Sequence, residues 1–140
     1  MNETHPVALI TGAGSGIGRE TALAFGARGA TVLCTDIDPA SATATAAAVR
    51  AALVAELKSR GNNAYKGRRM KEADVLYSKA LEHDPDNAKL YGNRSMVRCI
   101  VGQHEEALAD AESATAHDPA WAKGYFRKAQ ALSKLKRHNA

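Results

Sequence analysis

A recurrence at 34 residues constrains this chain most. Asp84-Pro85 returns as Asp118-Pro119, and His83 returns as His117. Ala73 returns as Ala107, Ala80 as Ala114, and Leu57 as Tyr91 and then Tyr125, all at a spacing of 34. A fixed period of this length signals stacked supersecondary units, each contacting mainly its neighbours. Two helical stretches fall within each unit, with a break at Gly67 in the first and at Gly102 in the second. The repeated alanines let helices approach closely. Each proline ends one helix pair and starts the next.

This period and pattern resemble the tetratricopeptide repeat. Repeat one covers residues 54–87, repeat two covers 88–121, and a third begins at Ala122 and stops after its first helix. The resemblance therefore implies an array of about two and a half repeats, truncated at its C-terminal side. Ala129, Leu132 and Leu135 would then have nothing to bury against. An apolar stripe of that kind invites self-association.

Three segments narrow the resemblance. LKSRGNNAYK, LYGNRS and WAKGYFRKAQAL are similar to the carboxylate-clamp repeats of co-chaperones. That family grips the C-terminal Glu-Glu-Val-Asp tails of the seventy- and ninety-kilodalton heat-shock chaperones. Its clamp positions fall on Lys58, Asn62, Asn93, Lys123 and Arg127. A spacing of four sets Lys58 with Asn62, and Lys123 with Arg127, on common helix faces. A peptide ending in Asp offers two carboxylates, its side chain and its terminus. Lys and Arg supply charge-assisted hydrogen bonds to such groups, and Asn satisfies the remaining lone pairs.

The first part of the chain reads differently. Val7 to Thr11 is a short apolar run, as expected of a strand buried on both faces of a parallel sheet. The glycine-rich turn Thr11-Gly12-Ala13-Gly14-Ser15-Gly16-Ile17-Gly18 follows, and then a helical stretch with Ile17, Leu23 and Phe25 as apolar contacts. Gly29 closes that helix, and 30–35 reads as a second buried strand. Glycines at such a turn let backbone N–H groups approach a pyrophosphate at the helix N-terminus. Asp36, at the end of the second strand, is placed to accept from a ribose 2′-hydroxyl and to repel a 2′-phosphate.

The motif resembles the start of a short-chain dehydrogenase/reductase, whose Thr-Gly-x-x-x-Gly-x-Gly pattern is met at Thr11, Gly12, Gly16 and Gly18. The resemblance implies NAD rather than NADP, held by Thr11, Gly12, Ser15, Gly16, Ile17, Gly18 and Asp36. That family's catalysis needs a Tyr with a Lys four residues later. Tyr65, Tyr77, Tyr91 and Tyr125 are followed at that spacing by Arg69, Leu81, Ser95 and Ala129. No catalytic residue is therefore assigned.

An alanine-rich run, 40–66, joins the two parts. It holds no proline and only one late glycine, Gly61, so a single long helix is expected, opened by Asp38 as N-cap and Pro39 behind it. The fold expected is α/β plus all-α: a Rossmann-like βαβ fragment at 1–52 and a repeat domain at 53–140, sharing that helix.

Charge divides the same way. Residues 1–52 balance at −1 and the rest at +5, which suits an acidic partner. The basic clusters 66–71 and 134–137 have no aromatic stacking platform beside them, which argues against nucleic acid. Cys34 and Cys99 have no metal-ligand spacing and read as free thiols in a reducing cytoplasm. The histidines likewise show no ligand spacing. Trp121 and Tyr125 read as residues packed between repeats. No apolar run is expected to span a membrane, and residues 1–12 lack the basic segment of a secretory leader. The functional expectation is a non-catalytic binding module for acidic C-terminal peptides of heat-shock chaperones. The alternatives are an NAD(H)-binding dehydrogenase fragment, or an artificial fusion in which neither half has a role in this form.

Overall fold

A computed structural model describes residues 6–36 and 38–138. Residues 1–5, which carry part of the leader reading, lie outside the described residues. Two compact units meet between Glu56 and Leu57.

In the first unit, β1 (Val7–Thr11) and β2 (Thr31–Thr35) pair in parallel, with Leu9 opposite Leu33. The helix α1 (Gly16–Ala27) connects them. Gly29, at φ 82°, ends α1 in the left-handed conformation that a residue without Cβ adopts most easily. The expectation of strands buried on both faces is not met. Burial alternates along both strands, and Leu9 is 64 % exposed. Two strands leave one face without the second helix layer that a wider parallel sheet has among its neighbours. The expected contacts of α1 also shift. Ile17 is 86 % exposed and Phe25 is exposed, while Ala22 and Gly26 are buried. Close packing explains this: a Cβ at Gly26 would overlap Val49 of the next helix.

That helix, α2 (Pro39–Lys66), runs unbroken for 28 residues. Its start is capped as expected. The Asp38 carboxylate accepts from the Ala40 N–H at 3.1 Å, from the Ser41 N–H at 3.3 Å and from the Ser41 hydroxyl at 2.6 Å. The Ser41 hydroxyl, then the Ala40 N–H, hold the Asp38 pKa below its usual value. The expectation of no membrane-length apolar run is corrected here. Over an 18-residue window α2 has a mean hydropathy of 1.2 with at most two charged residues, so by length and composition it is apolar enough to cross a bilayer. Alanine accounts for the difference, since it raises the mean without any run of large side chains.

The second unit holds the end of α2 and then α3 (Met70–His83), α4 (Ala88–Val101), α5 (His104–His117) and α6 (Ala122–His138). The α4 helix packs against α3, α5 and α6, and α5 packs against α6. Ala64, Ala73, Ala80, Ala107, Ala114 and Ala131 are all fully buried, so small side chains do line the helix contacts. Asn87 caps α4 by accepting from the Leu90 N–H at 3.2 Å. Trp121 packs as expected, since a Cβ at Gly92 would sit 2.5 Å from its ring. Tyr125 does not; about half of it is exposed.

The two helix-pair turns are built alike, with one substitution. In the second, Gly102 takes φ 87° and the Gln103 N–H reaches the Arg98 carbonyl at 2.9 Å. In the first, the Arg69 N–H reaches the Ala64 carbonyl at 2.9 Å, and the left-handed residue is Arg68, at φ 58°, rather than Gly67. Arg68 and Gly102 are 34 apart, so the repeat is kept while the residue suited to the turn is not.

Candidate functional site

The five clamp positions lie on three helices of the second unit: Lys58 and Asn62 on α2, Asn93 on α4, Lys123 and Arg127 on α6. Asn62 and Asn93 meet directly, the Asn93 Nδ2 donating to Asn62 Oδ1 at 3.4 Å. The same Asn62 oxygen accepts from the Tyr77 hydroxyl at 2.7 Å. Lys58 precedes Asn62 by one turn, and Lys123 precedes Arg127 by one turn. Neither lysine is in an ion pair among the described residues. The Arg127 guanidinium donates to Gln130 Oε1 at 3.2 Å and lies 5.7 Å from the centre of the Phe126 ring. None of the three cations hydrogen-bonds to the asparagine pair.

Beside α4 stands a polar network that the sequence reading did not single out. Asp110, 3 % exposed, takes Arg94 on both carboxylate oxygens, at 2.9 and 2.7 Å, and Arg98 at 3.0 Å. Arg94 also donates to the Ser78 hydroxyl at 2.9 Å, and Arg98 to Asp74 at 2.9 Å. Burial pulls the Arg94 pKa down, but the hydrogen bonds and charge of Asp110 outweigh it, and the net shift is upward. These links tie α3, α4 and α5 together. On the other side of Arg94, its guanidinium lies 5.6 Å from the Tyr91 ring, which stacks on His117 at 5.5 Å. Cys99 is a buried free thiol against Ala107 and Ala131. Burial pushes it up, against the smaller opposite pull of Arg127 and Lys134.

Tyr77, to which the sequence assigns no role, meets one of the clamp positions. Its contact to Asn62 joins residues 15 apart, beyond any helical periodicity. The signal available was a tyrosine on the small-residue face of α3, between Ala73 and Ala80, where a phenol must find a partner once buried. On α6, the face carrying Ala129, Leu132, Ser133, Lys136 and Arg137 forms a shallow open depression, and Leu132 is exposed.

In the first unit the glycine turn adopts the conformations its residues suit. Gly12 and Gly16 have φ 62° and 56°, and a Cβ at Gly18 would overlap the Gly12 carbonyl. The Asp36 carboxylate accepts from the Gly14 N–H at 2.8 Å and from the Asp38 N–H at 3.1 Å. Ser15, the N-cap of α1, makes no side-chain cap bond, and Thr11 closes β1. The turn therefore fits the phosphate side of a dinucleotide: close backbone approach and an amide-lined helix start. Among the described residues no group of three His, Cys, Asp or Glu side chains is arranged to hold a metal ion.

Comparison with known proteins separates the two parts. The profile described as short chain dehydrogenase matches residues 6–73, and that described as tetratricopeptide repeat matches 76–109. The second domain of human RPAP3, solved with the HSP70 peptide SGPTIEEVD, superposes with a TM-score of 0.55 at 30 % identity, covering 59 % of this chain and 69 % of that one.

Through its helical unit, the chain belongs to the tetratricopeptide-repeat family.

Two curated relatives agree. The chain is 40 % identical over 82 residues to the protein STIP1 homolog of Dictyostelium discoideum, covering 59 % of this chain. It is 42 % identical over 72 residues to the Hsp70-Hsp90 organizing protein of Triticum aestivum, covering 51 % of this chain. The match spans 14 % and 12 % of those two proteins. The tetratricopeptide repeats are thus joined to a segment resembling a short-chain dehydrogenase. The dehydrogenase match runs past the boundary between the units into α3, and so takes in the repeat turn, where the Tyr65 and Ala64 carbonyls at the end of α2 accept from the Arg68 and Arg69 N–H groups.

Proposed function

We propose that the helical unit is a non-catalytic binding module for acidic C-terminal peptides, of the Glu-Glu-Val-Asp kind carried by heat-shock chaperones. The hydrogen bond between Asn62 and Asn93 carries this reading, because it joins two of the five clamp positions across 31 residues of sequence. Lys58, Lys123 and Arg127 supply the positive charge that two carboxylates require. The RPAP3 domain solved with SGPTIEEVD supports the same partner class. The compartment this reading implies is the cytoplasm. Lys123→Ala tests it, since the lysine contributes to no ion pair that its loss would break. Calorimetric affinity for SGPTIEEVD should fall roughly ten-fold while the melting temperature stays within a degree or so. Unchanged affinity would count against the clamp.

A second reading rests on the glycine turn. The left-handed Gly12 and Gly16, with Asp36 braced on the Gly14 N–H, support an NAD site formed by Thr11, Gly12, Ser15, Gly16, Ile17, Gly18 and Asp36. Millimolar NAD should then raise the melting temperature of the whole chain, and Gly16→Val should abolish the rise. No shift in the wild-type protein would remove this reading.

A further inference from the structure

We infer that Tyr77 is a positioning residue for the peptide site, acting through Asn62 to make that end of the site a donor only, selective for a carboxylate. This rests on the clamp reading above. Tyr77 is 1 % exposed and locked in place, since a Cβ at Gly61 would come within 2.7 Å of its ring. Its hydroxyl donates to Asn62 Oδ1 at 2.7 Å, and Asn93 Nδ2 reaches the same oxygen at 3.4 Å. A carbonyl oxygen has two lone pairs, so both are taken. What Asn62 has left for a ligand is its NH₂ group.

The consequence is a sign of selectivity. A carboxylate offers only acceptors and matches the Asn62 NH₂. A carboxamide turned toward it by its own NH₂ would set donor against donor, and no lone pair on Asn62 remains to relieve this. Burial, with a smaller contribution from Tyr65, pushes the Tyr77 phenol up to about 12. The hydroxyl therefore remains protonated, and a donor, throughout the neutral range.

Tyr77→Phe keeps the ring against Gly61 and deletes only the hydroxyl. Wild-type and variant are each titrated with SGPTIEEVD as the free acid and as its C-terminal amide. The ratio of the two affinities is the readout, because a purely structural loss would weaken both peptides alike. In the variant the free acid should bind roughly five-fold more weakly, and the acid-to-amide ratio should shrink by a similar factor. An unchanged ratio in a folded variant overturns the inference and leaves the clamp standing. No binding of the free acid by the wild type overturns both. Should the variant not fold, NMR of the wild type decides. The Tyr77 hydroxyl proton should exchange slowly, and the Asn62 side-chain NH₂ signals should move with the acid peptide. Fast hydroxyl exchange or unmoved NH₂ signals would overturn the inference.

Discussion

The Asp110 carboxylate receives Arg94 on both of its oxygens, at 2.9 and 2.7 Å. The two residues are 16 apart in sequence and stand on neighbouring helices, α5 and α4. Arg98 adds a third donor and carries the link on to Asp74 of α3. A carboxylate so deeply buried is tolerable only because its partners saturate it.

Removing it should therefore be costly. Asp110→Ala would strip the half-buried Arg94 of its counter-charge and leave Arg98 with Asp74 alone, and should destabilise the unit by about 3 kcal/mol. Urea denaturation followed by far-ultraviolet circular dichroism measures this. Asp110→Ala combined with Arg94→Met should recover part of the loss, because the stranded charge is removed as well. A single-variant cost below about 1 kcal/mol would show that the network is not under the strain of burial described.

Arg68 makes the opposite prediction. It holds φ 58°, where its repeat equivalent Gly102 holds 87°. Arg68→Gly should stabilise the protein by about 1 kcal/mol, because the Cβ penalty of the left-handed region disappears. Gly102→Ala should destabilise it by about as much. Both signs are read from urea midpoints.

Tyr77 predicts a pH dependence. Its folded pKa is raised, to about 12 from the usual 10. The phenol's contribution to stability is therefore fully present below pH 10, declines as the unfolded chain begins to ionise there, and is lost as pH rises through about 12. Thermal melts of the wild type should fall more steeply over this range than those of Tyr77→Phe. Parallel curves would mean that the phenol is not shielded as described.

What could be read beforehand divides by the kind of signal. The turns were legible because proline and glycine punctuate them: Asp84-Pro85 follows α3, and Gly102 closes α4. The start of α2 was legible in Asp38-Pro39, since capping is a local interaction. The Asp110 network was not read, although a mark of it existed. Asp110 shares the buried face of α5 with Ala107, Ala111 and Ala114, where a lone carboxylate demands a partner. Which cations answer it depends on how α3 and α4 pack, and no helical period encodes that. Arg68 was hidden by Gly67 beside it, a glycine in the ordinary place to expect the turn. The exposed sides of Leu9 and Leu33 depend on which strands and helices surround them, which the apolar run itself does not state. Of the candidate site, the resemblance supplied the five proposed clamp positions, whereas the meeting of Tyr77 with Asn62 depends on how α2 and α3 pack.

The proposed site would take an acidic C-terminal carboxylate at Lys58, Asn62, Asn93, Lys123 and Arg127. Calorimetric titration of the whole chain with SGPTIEEVD, as free acid and as C-terminal amide, tests it most directly. The free acid should bind, with the amide at least roughly ten-fold weaker, because charge-assisted hydrogen bonds to the terminal carboxylate are lost. Equal affinity for the two peptides, or no heat with either, would contradict it.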